Sequence, residues 1–138
     1  MIPCEVRISV PCRLEKLAVV AGEARRLAML SVGSEAAGLV DLAVTEICSN
    51  VIRHGHAGRP QDTFTVHIKA IDGSIEIEVR DAGDSFDAAT PVMPSVDVDL
   101  MDLPEGGFGL ALVSQTMDVF EQRHDHGINI TRLIKRRP

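Results

Sequence analysis

The sequence predicts an α+β domain, a two-layer sandwich in which a mixed, mostly antiparallel sheet carries helices on one face. Three segments alternate apolar and polar residues with the period of a half-buried strand, and three others repeat apolar residues with the period of a helix. The pair Asp72-Gly73 lies between two of the alternating segments, where it predicts a hairpin turn. The 138 residues fit one domain, 1–138, without repeats.

The predicted elements follow in the order strand, helix, helix, hairpin, irregular segment, helix and strand. They are a strand over 4–10, helices over about 14–30 and 35–54, strands over 64–70 and 75–79, a helix over about 108–121 and a strand over 127–134. The second helix is apolar nearly all round, which predicts that it is substantially buried. The segment between the hairpin and the last helix is rich in glycine, proline and acidic residues, which is typical of a functional lid or a disordered stretch.

The composition excludes several classes of function. A net charge of −6, with four Phe and no Tyr or Trp, disfavours proteins that stack bases or bind anionic surfaces. No apolar run approaches the roughly 18 residues of a membrane span, and no signal peptide is evident. Three cysteines without a CxxC motif favour reduced thiols over zinc binding. We therefore expect a soluble, cytoplasmic protein that binds neither nucleic acid nor membrane.

The first group of candidate site residues lies on the second predicted helix. Glu46, Asn50 and His54 are spaced by four, so they form one polar row on a helix that is otherwise buried. An amide oxygen can ligate a hard cation such as Mg²⁺, and a carboxylate can orient or deprotonate a hydroxyl. A polar row that faces solvent, or that neighbouring loops satisfy, is an equally good interpretation of this segment alone.

The second group follows the hairpin. If the second hairpin strand continues to Asp81, this residue points to the core side, where its carboxylate can accept a hydrogen bond from the amino group of a ligand. Gly83 would let a ligand approach the backbone closely. Taken alone, Asp and Gly at this position are more commonly an ordinary turn.

The third group is the glycine-rich segment 105–109, which opens the last helix. Exposed backbone N–H groups at a helix start favour phosphate. The segment lacks the Gly-Lys-Ser/Thr of a Walker A motif, and a flexible hinge is the alternative. Two His pairs, 54/56 and 124/126, have poor spacing for a metal and lack a third ligand, so surface histidines are the better interpretation.

Together, these segments resemble the anti-sigma factor serine kinases, a branch of the Bergerat-fold (histidine-kinase-like) ATPases. The likeness covers nearly the whole chain. It is carried by Glu46-x-x-x-Asn50-x-x-x-His54, by Asp81-x-Gly83-Asp84-Ser85-Phe86-Asp87, by Glu105-Gly106-Gly107-x-Gly109-Leu110-x-Leu112-Val113 and by Met117-Asp118. One departure is that Gly127 precedes Ile128, where such domains often have Gly-Thr, so the resemblance leaves the contacts at the adenine end unsettled.

The resemblance implies a histidine-kinase-like ATPase fold with an ATP lid at about 84–106. Glu46 would be the general base, Asn50 the Mg²⁺ ligand, and Asp81 the acceptor for the adenine amine. The cofactors would be ATP and Mg²⁺. The residues implied to contact ATP are Asn50, Arg53, His54, Asp81, Gly83, Phe86, Gly106, Gly107, Phe108, Gly109 and Leu110.

The function that this resemblance implies is a protein serine/threonine kinase that acts as an anti-sigma switch protein. It would phosphorylate a small anti-sigma factor antagonist and otherwise sequester a sigma factor or similar regulator, typically as a homodimer. One alternative is an ATP-binding module that sequesters a partner without phosphoryl transfer. Another is a detached ATPase domain of a sensor kinase that acts on a histidine in trans.

Overall fold

The computed structural model describes residues 3–55, 59–83 and 107–138. Within these ranges the chain forms β1 (Cys4–Pro11), α1 (Leu17–Ser31), α2 (Ser34–Asn50), β2 (Thr63–Ile71), β3 (Ser74–Asp81), α3 (Gly107–Thr116), β4 (Val119–Asp125) and β5 (Ile128–Arg136). A short 3₁₀ turn at Leu14–Lys16 precedes α1, and a π-helical turn at Val51–Gly55 continues α2. The α+β class predicted from the sequence is confirmed.

The sheet has the strand order β1-β2-β3-β5-β4. Each of its four pairings is antiparallel, so the described sheet contains none of the parallel pairing that a mixed sheet would include. In the register between β3 and β5, Ile77 lies opposite Leu133 and Asp81 lies opposite Asn129. Residues directly opposite each other share a face, so these four side chains all point to the side that the helices cover.

The helices pack on one face of the sheet because α1 and α2 bury small and branched apolar residues together. The first helix packs along α2 and contacts β1, β2 and β3, whereas α2 contacts β5 and α3. Alanines at the helix contact, such as Ala24, Ala28 and Ala37, are at most 1% exposed. Small side chains allow the two helix backbones to approach closely, and this places α2 in the centre of the domain with the sheet and two helices around it.

The last part of the chain differs from the prediction. The final helix ends at Thr116 rather than near residue 121, and residues from Val119 onward form the edge strand β4. This strand was missed because Met117 and Phe120 continue the apolar spacing of the helix. The strand itself is mostly exposed and charged, as is common for edge strands. His126 and Gly127 connect β4 to β5 with φ of 50° and 80°, the conformation of a tight two-residue hairpin.

The hairpin between β2 and β3 is joined to both the first helix and the C-terminus. Gly73 has a φ of 88° and donates its N–H to the carbonyl oxygen of Ser31 at 2.9 Å. Arg137 donates its backbone N–H to the Gly73 carbonyl oxygen at 2.9 Å, and its guanidinium donates to Ser31 and to Asp72, each at 3.0 Å. The predicted Asp72-Gly73 turn is therefore confirmed, and these contacts fix its position relative to α1.

In the described ranges, no helix combines the length and the apolar character needed to cross a membrane.

The buried cysteines give a test of the packing. Burial raises the pKa of the Cys48 thiol to about 12, and burial followed by the charges of Asp62 and Asp81 raises the pKa of Cys12. We expect a thiol reagent at pH 8 to modify half-buried Cys4 in the native protein, and to modify Cys12 and Cys48 only when the protein unfolds. Thiolate is the reactive form, and both buried thiols stay protonated.

The same pKa shift sets the sign of a stability change. An unfolded thiol loses its proton near pH 9, whereas folded Cys48 retains it until about pH 12, so the folded state loses stability as the pH rises through this window. Urea titrations of Cys48→Ser and the native chain at pH 7 and 10 measure how much free energy of unfolding each protein loses between the two pH values. Rapid labelling of Cys48 in the folded protein would contradict the packing described.

Candidate functional site

Glu46 and Asn50 lie one turn apart near the end of α2, as the sequence predicts. Glu46 is half-buried, and Asn50 is 8% exposed. Among the described residues, neither side chain makes a hydrogen bond or an ion pair. A buried amide normally has a hydrogen-bond partner. Because the Asn50 amide has none among the described residues, its polar atoms are available to a ligand. The interpretation that neighbouring loops satisfy this row finds no support in the described part of the chain.

The wider turn that follows α2 changes the position of the remaining polar residues. Arg53 and His54 both lie in the π-helical turn and are exposed. Because a π turn has more residues than an α turn, His54 does not continue the α-helical row of Glu46 and Asn50. Single π turns of this kind occur frequently at functional sites, and here the turn directs two basic side chains away from the core.

The start of α3 packs directly against the Glu46 carboxylate. A Cβ atom placed on Gly109 would lie 1.8 Å from Glu46 Oε1, so no larger residue fits while Glu46 keeps this position. A cavity of about 30 Å³ beside this contact is lined by Leu42 and Thr116, among others. The helix start presents backbone N–H groups that have no partner within the helix, and an anionic group is favoured there. A residue with a Cβ at position 109 would therefore require the Glu46 side chain to move.

Asp81 forms the second part of the site, at the end of β3. It is 4% exposed and faces the helix-covered side, as the alternation of the strand predicts. Its Oδ1 accepts hydrogen bonds from the backbone N–H of Gly83 at 2.9 Å and from Asn129 Nδ2 at 3.1 Å. Donors that converge on a buried carboxylate offset the cost of removing it from water.

Two residues in this second part were not predicted as site residues. Asn129 is 2% exposed and also donates to the carbonyl oxygen of Gly83 at 3.3 Å, and its Oδ1 is 2.8 Å from His124 Nδ1. Both come from the β4–β5 hairpin, which the sequence analysis did not identify. The register of this hairpin pairs Asn129 with His124, and the register between β5 and β3 places Asn129 opposite Asp81.

The remaining predicted residues are described only in part. Gly107 begins α3, and the backbone of Phe108 continues it. Leu110 is half-buried against the core. Phe86, Gly106 and the predicted lid at about 84–106 lie outside the described residues, so their predicted roles stay predictions. Within the described residues, no cluster of three or more His, Cys, Asp or Glu side chains could hold a metal.

The donor set fits Mg²⁺ that arrives with a nucleotide, rather than a metal held by protein alone. Mg²⁺ commonly takes only one or two protein oxygens and completes its octahedron with phosphates and water. Asn50 can supply one such oxygen because its side chain has no partner among the described residues. The start of α3 would face the phosphates of the same ligand.

A family model described as a histidine kinase-like ATPase domain matches residues 10–135. The chain belongs to this family. The sequence-based identification of the family is thus confirmed, and the match includes both Glu46 on α2 and Asp81 on β3.

Curated relatives and a solved structure agree with this assignment. The serine-protein kinase RsbW of Bacillus licheniformis is 32% identical over 65% of this chain, which spans 59% of that protein's length. The serine-protein kinase RsbW of Bacillus mycoides is 27% identical over a segment that covers 96% of this chain and 86% of that protein's length. A crystal structure of the RsbU and RsbW domains of a Mycobacterium tuberculosis protein matches 98% of this chain, with a TM-score of 0.69 at 19% identity. The match covers 33% of the chain in that crystal structure. That structure supports the fold alone.

The contact between Gly109 and Glu46 can be tested without any ligand. Gly→Ala in a helix is worth up to about 1 kcal/mol of stability, but here the new methyl group would displace the Glu46 carboxylate. We expect Gly109→Ala to stabilise a Glu46→Ala background by about this amount, and to be less favourable when Glu46 is present. Urea denaturation of the four proteins of this double-mutant cycle gives the coupling. An equal gain in both backgrounds would show that the two residues are not in contact.

Proposed function

We propose that this chain is an ATP-dependent protein serine/threonine kinase that acts as an anti-sigma switch protein. It would phosphorylate a small anti-sigma factor antagonist and otherwise sequester a sigma factor or similar regulator as a homodimer in the cytoplasm. Membership of the histidine kinase-like ATPase family supports nucleotide use, and the similarity to proteins named serine-protein kinase RsbW supports the class of substrate.

The observation that carries the proposal is the contact between the Glu46 carboxylate and Gly109 in the first turn of α3. In the proposed complex, the start of α3 binds phosphate, and Glu46 lies beside it. A hydroxyl that approaches the terminal phosphate from this side would meet a carboxylate able to accept its proton. A kinase site needs these two groups next to each other.

The proposed reaction balances as a simple phosphoryl transfer. The hydroxyl oxygen of the partner's serine or threonine forms a bond to the γ-phosphorus, the bond from that phosphorus to the bridging oxygen breaks, and ADP leaves. Glu46 accepts the hydroxyl proton. Asn50 would hold Mg²⁺, which supplies positive charge to the phosphates when it is bound. Little covalent chemistry is required of the protein, so positioning and charge account for most of the rate.

The other part of the site would hold the base of the nucleotide. Asp81 is buried beside Gly83, and a carboxylate in this position can accept a hydrogen bond from an exocyclic amine. Adenine carries such an amine. Arg53 and His54, which are exposed at the end of α2, would supply donors for the phosphates.

Removal of the Glu46 carboxylate should separate binding from chemistry. We expect Glu46→Ala to retain ATP binding and to lower phosphoryl transfer at least about a hundredfold, which is typical for loss of a general base. Glu35→Gln, at the exposed start of the same helix, is the matched control. Transfer is measured with radiolabelled ATP and the anti-sigma factor antagonists of the source organism, expressed one at a time.

The outcomes distinguish the functional alternatives. Unchanged transfer in Glu46→Ala would rule out the assigned base. ATP binding by the native chain without transfer to any antagonist would favour the sequestering module. An acid-labile phosphorylated product would indicate phosphohistidine, and therefore a detached sensor-kinase domain, because phosphoserine survives acid.

Substitution of Asp81 tests the proposed adenine contact. We expect Asp81→Asn to weaken ATP binding by about tenfold to a hundredfold, because a hydrogen bond to a charged group is worth about 1.5–3 kcal/mol. Calorimetry with and without Mg²⁺ measures the affinity. Asp72→Asn, in the turn at the opposite end of the same strand, should bind ATP as the native chain does. An unaltered affinity in Asp81→Asn would mean that the base binds elsewhere.

A further inference from the structure

Asn129 is held in one orientation by groups on three sides. An ionised Asp81 carboxylate only accepts hydrogen bonds, so the nitrogen of the Asn129 amide must face it, at 3.1 Å. The amide oxygen then faces His124 Nδ1 at 2.8 Å, and this ring nitrogen must carry the proton. The second amide hydrogen is directed to the carbonyl oxygen of Gly83 at 3.3 Å. We call Asp81, Gly83, His124 and Asn129 the Asp81 network.

This arrangement fixes the plane of the Asp81 carboxylate. Its Oδ1 receives the Asn129 amide, which belongs to β5, together with the N–H of Gly83, which lies two residues beyond the end of β3. A carboxylate has about four acceptor positions, which is more than these two donors occupy. Rotation of the carboxylate would break both contacts within a site that is almost fully buried.

The chemical type of Asn129 also matters. A lysine or arginine in its place would form an ion pair with Asp81 and compete with the amino group of a ligand. An amide donates a hydrogen bond without a positive charge, so the negative charge of Asp81 remains directed at whatever binds there. The network therefore orients the carboxylate without neutralising it.

We propose that Asn129 is a positioning residue that holds Asp81 so that the site prefers a purine with a 6-amino group. This inference rests on the proposed function, because it takes the ligand of Asp81 to be the base of a nucleoside triphosphate. Asn129 acts through Asp81. His124 in turn fixes the orientation of Asn129.

The test compares two nucleotides that differ only at the amino group. ATP and purine riboside triphosphate, which has a hydrogen in place of the 6-amino group, are titrated with Mg²⁺ into the native chain and Asn129→Ala. We expect the native chain to bind ATP more tightly, and Asn129→Ala to lose at least about tenfold of that preference while its affinity for purine riboside triphosphate changes little. A merely structural residue would weaken both nucleotides in parallel, and that result would overturn the proposal.

Thr131 provides the matched control. It lies on the same face of the same strand and is 3% exposed, but its hydroxyl accepts a hydrogen bond from the Gln122 amide at 3.5 Å rather than contacting Asp81. Thr131→Val should keep the native preference for ATP. If Asn129→Ala does not fold, His124→Ala is the second variant. It removes the hydrogen bond to the amide oxygen of Asn129, and His124 itself is exposed. A preference lowered by about twofold to fivefold is expected there.

The failures of the two proposals can be told apart. A native chain that binds neither nucleotide would overturn the proposed function and this inference together. If the native chain bound both nucleotides equally, nucleotide binding would stand, but the proposed recognition of the 6-amino group by Asp81 would be overturned. Full retention of the preference in Asn129→Ala, or in His124→Ala where that is the variant used, would overturn the role of Asn129 and leave the proposed kinase unaffected.

Discussion

The burial of α2 on several sides is the constraint on which the rest of the structure depends. Its apolar residues, such as Val40, Val44 and Ile47, are at most 1% exposed between the sheet and the other helices. Because the helix is fixed in this way, the side chains near its end project from a rigid element rather than from a loop. Rigid support of this kind is what a phosphoryl-transfer site needs, since small displacements of the reacting groups are costly.

Much of this arrangement could be predicted from periodicity. The alternation in β2 and β3 gave both strands and their turn, and it also placed Asp81 on the core side. The nearly continuous apolar character of α2 gave its burial. These predictions succeeded because each depends on residues that are close together in the sequence and on a single dominant period.

The hairpin of β4 and β5 could not be predicted in the same way. Charged residues fill the exposed edge strand, and Met117 and Phe120 fit a helical spacing equally well. In β5 the apolar residues Ile128 and Ile130 alternate with Asn129 and Thr131, which favours the isoleucines as the buried set. Ile130 is indeed only 6% exposed, but the structure turns Asn129 and Thr131 to the helices, because the register with β3 pairs them with Asp81 and Val79. Register decides the face of a strand, and a single sequence gives no direct signal for it.

The two parts of the candidate site therefore depend on different kinds of constraint. The contact between Glu46 and Gly109 depends on a residue without a side chain in the first turn of α3, and the glycine-rich sequence indicates such a residue directly. The Asp81 network requires two strands, far apart in the sequence, to pair in one register.

Asn129 joins these strands through their side chains as well as their backbones, because it donates both to Asp81 and to the carbonyl oxygen of Gly83. The second donation holds the carbonyl oxygen of Gly83, two residues after the end of β3. The position of the Gly83 carbonyl and the plane of the Asp81 carboxylate are thus both linked to one amide group. A change at residue 129 would therefore alter both together.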